Sequence, residues 1–104
     1  MYTPDNWVII KLDSEEYGVV YKVLAGWSGG FTDGDSWRMN SGIIEVRESE
    51  DYYDFIGDSG SVYRCYKEAE RLSMMTSSIL QQLKERFANI VTQVGVDEIE
   101  LDGA

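Results

Sequence analysis

Three consecutive segments between Glu16 and Glu48 decide the fold of this chain. Residues 17–27 read YGVVYKVLAGW, residues 28–35 read SGGFTDGD and residues 36–47 read SWRMNSGIIEVR. The first and third segments are rich in β-branched and aromatic residues, which favour strands, whereas the middle segment is rich in residues that tolerate positive φ. The pattern predicts a long β-hairpin around which the rest of the chain is arranged.

Glycines interrupt both strands of this predicted hairpin. Gly18 and Gly26 lie in the first strand and Gly42 in the second. Glycine is unfavourable in a flat strand, but it permits the sharp bends with which strands turn the corners of a small barrel. The two strands are therefore expected to be bent.

Further strands are predicted on both sides of the hairpin. The run at 7–12, WVIIKL, is apolar on both faces except for Lys11, so we expect it to be covered on both sides. Two short apolar runs flank a GDSG turn at 57–60, which is typical of a second hairpin. The five predicted strands lie at about 7–12, 17–27, 36–47, 52–56 and 61–66.

The spacing of the apolar residues changes after Lys67. From there they recur at intervals of three and four residues, which predicts an amphipathic helix from Lys67 to about Thr92 that Gly95 helps to end. The segment 96–104 alternates apolar and acidic residues and is predicted to be a short edge strand or a frayed acidic tail. The periodic residues are Leu72, Met75, Ile79, Leu83, Phe87, Ile90 and Val94.

Together these elements predict a mainly β fold with one helix. A chain of 104 residues is expected to form a single domain. Five short, bent, antiparallel strands favour a small barrel of the Sm-like or SH3-like type with a C-terminal amphipathic helix. That helix would cap an open end of the barrel or lie against a neighbouring molecule.

The composition restricts the possible functions. The chain has 19 acidic and 9 basic residues and a formal net charge of −10, which disfavours RNA and makes DNA an unexpected partner. The absence of histidine removes the usual catalytic triads and histidine metal ligation. Cys65 has no histidine to activate it and is interpreted as a structural thiol. We therefore predict that the protein is not an enzyme and uses no cofactor.

The sequence also predicts where the protein is found. The first five residues have neither the basic nor the apolar region of a signal peptide. No apolar segment approaches the length that spans a bilayer, so a membrane partner is not expected. A single cysteine is compatible with a reducing compartment. A cytoplasmic location is predicted.

Two acidic segments contain carboxylates close enough in sequence to suggest a metal site. The sequence Asp33-Gly34-Asp35 could begin a calcium loop, but Trp37 and Arg38 occupy positions where further oxygen ligands are needed. A second group of carboxylates is dense enough to attract a cation, although a solvated turn is the favoured interpretation. Its members are Glu48, Glu50, Asp51 and Asp54. No metal site is predicted.

Two motifs resemble those of the Sm and Sm-like protein family. Residues 30–40, GFTDGDSWRMN, are similar to the first motif, which ends in a Met-Asn pair, and residues 55–63, FIGDSGSVY, are similar to the second. The chain departs from the family at Ser36, where an acid is expected, and at Ser59, where an arginine is expected. The resemblance implies a five-stranded barrel and a single-stranded RNA site. Its residues would be Asn40 and Met39, with Arg38 and Trp37 beside them.

A second, compositional resemblance is to uncharacterised small acidic proteins of tailed phages of marine bacteria. It implies no particular chemistry.

The predicted helix contains a segment suited to contacts with other helices. Residues 73–78, SMMTSS, have little charge and mediocre helix propensity, so this segment must gain its stability from packing. It could pack on its own barrel or on another copy through Met74, Met75 and Ser78. The leading hypothesis is a non-enzymatic interaction or assembly module that forms homo-oligomers. The alternative is an Sm-like RNA-binding protein.

Overall fold

The protein is described by a computed structural model that covers residues 1–29 and 34–101. These residues form seven strands in two antiparallel sheets and one α-helix, which confirms the mainly β class with a single helix. The strands are β1 (Asn6–Ser14), β2 (Gly18–Trp27), β3 (Ser36–Met39), β4 (Ile43–Glu48), β5 (Tyr52–Gly57), β6 (Val62–Tyr66) and β7 (Val91–Val94). The helix is α1 (Met74–Arg86), and short 3-10 turns occupy Lys67–Ala69 and Val96–Glu98.

The strands divide into two sheets rather than one. The first sheet has the order β3-β2-β1-β7, and the second has the order β4-β5-β6. Within residues 1–29 and 34–101, only isolated bridges such as Tyr2 to Tyr63 occur outside these ladders. The described strands therefore do not close into the predicted five-stranded barrel.

Strand β1 is central because both of its faces are apolar. Trp7 and Ile9 point into a core shared with the second sheet, whereas Val8 and Ile10 point into a core shared with α1. All four side chains are fully buried. The predicted covering of this strand on both sides is confirmed, and the first sheet lies between α1 and the second sheet.

The predicted strand at 36–47 is instead two strands that belong to different sheets. Strand β3 pairs with β2 and ends at Met39, and β4 pairs with β5 from Ile43 onward. Between them Gly42 has a φ of 139°, and a Cβ atom at this position would lie 3.2 Å from Cγ1 of Val20. This sharp corner transfers the chain from the first sheet to the second.

The predicted helix at 67–92 is too long at both ends. The α-helix begins after Ser73, whose side-chain oxygen accepts a hydrogen bond from the Thr76 amide at 3.1 Å. Beyond the helix, Asn89 has a φ of 69° and the chain turns back to form β7. Strand β7 supplies hydrogen bonds to the edge of β1 that β2 leaves unpaired.

The helix packs one face on its own first sheet. Leu80 is buried against Val8, Ile10 and Leu24. The C-terminal segment is also packed, because Ile99 and Leu101 cover the core between the two sheets. The part of the predicted tail at 96–101 is therefore neither an edge strand nor frayed, and residues 102–104 lie outside the described residues.

The described part of the chain has no helix that combines the length and the apolar character needed to cross a membrane.

Candidate functional site

Asn40 lies in the interior, at the corner where β3 ends. Its side-chain Oδ1 accepts a hydrogen bond from the backbone amide of Val23 at 2.9 Å, and the backbone amide of Asn40 donates to the Val23 carbonyl at 3.3 Å. Its Nδ2 is buried and has no hydrogen-bond partner among the described residues. The side chain of Asn40 thus extends the ladder of β2 and is not presented to solvent.

The other three residues of the predicted RNA site occupy different surfaces. Trp37 and Met39 share the face of β3 that is directed toward α1, where Met39 is half-buried and Trp37 is 41% exposed. Arg38 lies on the opposite face, where Nη1 donates to the Tyr2 hydroxyl at 3.0 Å and the guanidinium lies 4.8 Å from the Tyr2 ring centre. The structure therefore does not bring the four residues together in one binding surface.

Several cations of the chain are engaged by carboxylates. Arg64 pairs with Asp54, Lys67 pairs with Glu48, and Arg47 pairs with Glu45. The hydrogen bond with Asp54 is the main reason why the pKa of Arg64 is raised. These pairs reduce the positive potential available to a phosphate backbone.

The outer face of the second sheet carries an ordered row of opposite charges. Arg47, Asp54 and Arg64 are aligned across β4, β5 and β6. Arg64 binds both oxygens of Asp54, at 2.9 and 3.0 Å, and its guanidinium lies 4.1 Å from the ring centre of Tyr52. Charge therefore alternates across this face from one strand to the next.

Strand β4 is the edge of the second sheet, and its backbone defines the main candidate site. The Ser49 amide donates to the Tyr52 carbonyl at 2.8 Å, and Arg47 is paired with Asp54. Hydrogen-bonding direction alternates along an antiparallel strand, so the backbone groups of Val46 and Glu48 point away from β5. No described residue forms a ladder with this side of β4. We refer to it as the β4 edge.

A groove separates β4 from β2 on the same side of the molecule. Its volume is about 560 Å³, and its lining includes Val20 and Gly42 at the corner as well as Glu100 and Leu101 of the C-terminal segment. Val19 and Ile44 form its rim and are 49% and 57% exposed. An apolar hollow of about 520 Å³ adjoins it and continues past Tyr17 to Phe87. This end of the molecule thus combines apolar side chains with an unpaired strand.

The helix residues predicted to form an oligomer interface do not make an apolar face. Met74 is 93% exposed, Ser78 is exposed and Met75 is half-buried. The other exposed side chains of α1 are polar or charged, namely Ser77, Gln81, Gln82, Lys84, Glu85 and Arg86. Met74 alone is a small surface for helix association.

The residues considered for catalysis or metal binding are held in structural roles. Cys65 is fully buried, and burial raises the pKa of its thiol, so it is not an accessible nucleophile. The described residues contain no group of three or more potential metal ligands. In the acidic group of the second sheet, Glu48 and Asp54 bind cationic side chains. Asp33 lies outside the described residues.

Sequence reasoning did not identify the β4 edge. Its signal is the alternation in Glu45-Val46-Arg47, where charged residues on one face flank an apolar residue on the other. The signal is weak because residues 36–47 have the composition of one continuous strand and no pattern in them marks the change of sheet.

Comparison of the chain with protein-family models, with curated proteins and with solved structures gave no match.

Proposed function

We propose that this protein is a non-catalytic interaction module that forms homo-oligomers. The observation that carries the proposal is the β4 edge, whose backbone donors and acceptors are unpaired within residues 1–29 and 34–101. Such an edge is a template for pairing with another strand unless the protein blocks it. The exposed rim residues Val19 and Ile44 add apolar surface beside it.

The net charge sets the conditions under which self-association is expected. Two copies that each carry −10 repel one another at long range, whereas contacts in an interface act at short range. Association is therefore expected to strengthen as moderate salt screens the repulsion. The proposed place of action is the cytosol, as the sequence predicts.

Light scattering coupled to gel filtration tests this function. The mass should rise from that of a monomer to that of an oligomer as the protein concentration increases from micromolar to millimolar. The measurement should be made at low and at moderate salt, because the second condition is expected to favour the oligomer. A monomer at every concentration and at both salt levels would refute the proposal.

The second candidate is an Sm-like RNA-binding protein. It is supported by the two motifs and by the exposure of Trp37 and Arg38 on the edge strand β3. In this interpretation β3 and β4 are the two halves of one strand of an Sm-like barrel, bent at Gly42. An exposed aromatic ring and a guanidinium are groups that bind single-stranded bases and phosphates.

Titration of a short labelled RNA at low salt tests this candidate. Trp37→Ala and Arg38→Ala should each weaken binding, and Ser78→Ala, on the exposed face of α1, is the control. A substitution of Asn40 is unsuitable because this residue is buried and holds β2. Absence of binding, or equal binding by all variants, would exclude the RNA function.

A further inference from the structure

The β4 edge has a sequence that is complementary to itself. We propose that two copies associate by pairing β4 with β4 in antiparallel orientation about a two-fold axis at Val46, which joins their second sheets into one six-stranded sheet. This inference rests on the proposed self-association and specifies the surface that mediates it. The occupant of the β4 edge is thus a second copy of the chain.

The backbone directions suit this arrangement. Val46 presents both its amide and its carbonyl to the free edge, as inferred above from the pairing of Arg47 with Asp54. When Val46 faces Val46 of the second copy, the two residues form a hydrogen-bonded pair with one bond in each direction. Farther from the axis, Glu48 of one copy faces Ile44 of the other, where β4 has a bulge between Ile43 and Glu45, so the regular ladder is centred on residues 45–47.

The side-chain charges suit the same register. Glu45 and Arg47 lie on the outer face of the second sheet and are exposed, whereas Val46 packs on the inner side. With Val46 on the axis, Glu45 of each copy stands opposite Arg47 of the other. Two cross-strand pairs of opposite charge therefore form at once, and pairs of this kind stabilise antiparallel strands.

Other registers are less favourable for reasons of charge and burial. An axis at Glu45 would place two carboxylates opposite each other, and an axis at Arg47 would do the same with two guanidinium groups. A slip by one residue would put Val46, which is directed to the core, opposite an exposed charged residue. The charge pattern thus selects the register centred on Val46.

The ion pair of Glu45 and Arg47 does not prevent the pairing, and the side chain of Val46 stays on the inner side of the sheet, where Ile99 and Leu101 of the C-terminal segment line the same hollow. Arg47 now binds Glu45 of its own strand, and both side chains are exposed to solvent. An exposed ion pair of this kind contributes little to the free energy of folding. Little stability is therefore lost when it is replaced by two ion pairs between the copies. The hydrogen bond between Glu45 and Arg47 is also the main reason why the pKa of Arg47 is raised.

Charge reversal provides the test. Glu45→Arg gives each strand two cations and Arg47→Glu gives each strand two carboxylates, so each variant alone should weaken homodimer formation by about tenfold or more. The double variant Glu45→Arg with Arg47→Glu restores opposite charges and should dimerise like the wild type. An equimolar mixture of the two single variants should form a heterodimer. Dimer dissociation constants can be measured by analytical ultracentrifugation.

Two controls separate association from folding. Thermal unfolding at a concentration where the protein is monomeric should give the wild-type midpoint for Glu45→Arg, and a somewhat lower midpoint for Arg47→Glu, whose new carboxylate lies opposite Asp54 of β5. If a reversal variant fails to fold, Glu45→Gln and Arg47→Gln replace it and should weaken the dimer by less. Hydrogen exchange supplies an independent readout, since the Val46 amide should become protected only at concentrations at which the dimer forms.

The outcomes distinguish this inference from the function on which it rests. A wild type that never associates overturns both. If the wild type and every charge variant self-associate equally well, and the Val46 amide is not protected, the β4 pairing is refuted but self-association still holds. Loss in the single variants with recovery in the mixture supports the proposed register.

Discussion

Asn40 and Val23 are joined by two hydrogen bonds, one to the side chain of Asn40 at 2.9 Å and one from its backbone at 3.3 Å. The amide group of the side chain therefore continues the ladder of β2 after β3 has ended at Met39. Because the chain passes from the first sheet to the second at this point, Asn40 anchors the connection between them. Its Nδ2, buried without a partner among the described residues, is the cost of this anchor.

Replacement of Asn40 tests this role. Asn40→Ala leaves the amide of Val23 buried without an acceptor, so the free energy of unfolding should fall by about 1–3 kcal/mol in chemical denaturation. Gln82→Ala, on the exposed face of α1, is the matched control and should have little effect. An Asn40→Ala protein as stable as the wild type would show that the interaction does not anchor the corner.

Gly26 makes a second tight contact between elements. A Cβ atom at this position would lie 2.6 Å from Oδ1 of Asn6 and 2.9 Å from Cγ2 of Thr76, and both neighbours are buried. Gly26→Ala should therefore lower the free energy of unfolding by about 1–2 kcal/mol, despite the smaller entropy of the unfolded alanine variant. Ser28→Ala, at an exposed position nearby, is the control. Equal stability of the two variants would show that Asn6 and Thr76 can move aside to admit a methyl group at this position without a loss of stability.

Because of Cys65, the free energy of unfolding should decrease as the pH becomes alkaline. Burial raises the pKa of its thiol, so the native state keeps the proton at a pH at which the unfolded state has lost it. The contribution of Cys65 is thus complete below the unfolded pKa and decreases as the pH rises above it. From about pH 7.5 to about pH 9.5 the loss should be about 1.4 kcal/mol.

Cys65→Ala removes this titration and should lose less stability over the same range, whatever its stability at neutral pH. Burial also raises the pKa of Tyr63, but wild type and variant share that effect. Urea denaturation at each pH measures the difference. Identical pH dependence of the two proteins would contradict the role of Cys65.

The two arginines of the second sheet should respond differently to substitution by lysine. Arg64 binds both oxygens of Asp54 and stacks over Tyr52, a geometry that a single ammonium group does not reproduce. Arg64→Lys should lower the thermal midpoint. Arg47→Lys should leave it unchanged, because the partner Glu45 is exposed. Equal midpoints for the two variants would show that the paired geometry of Arg64 contributes nothing.

The sequence revealed those elements whose pattern is independent of distant partners. The apolar run of β1 predicted a strand covered on both sides, and the GDSG turn predicted the hairpin of β5 and β6, which the structure forms. In contrast, residues 91–94 continue the helical spacing of the apolar residues but form β7. Their partner β1 lies some eighty positions earlier in the chain, so local pattern could not identify the pairing.

The candidate site was less accessible to prediction than the fold. The Met-Asn motif predicts a binding role for Asn40, but the burial of this residue depends on its contact with Val23 and on the corner at Gly42. The helix start was also misplaced, because the box formed by Ser73 and Thr76 lacks the glutamate or glutamine that usually marks it. The β4 edge exists because β3 and β4 belong to different sheets, which local sequence pattern does not reveal.

The pairing of β1 with β7 also has a consequence for biosynthesis. During synthesis β1 leaves the ribosome early, but β7, which completes its hydrogen bonding, is made only after the helix and the other five strands. During this interval the most apolar strand of the nascent protein has an open flank, which is the condition under which partly made chains bind chaperones or aggregate. Completion of the first sheet is therefore a late step of synthesis, and the slow, non-local pairing that it requires is expected to limit the folding rate.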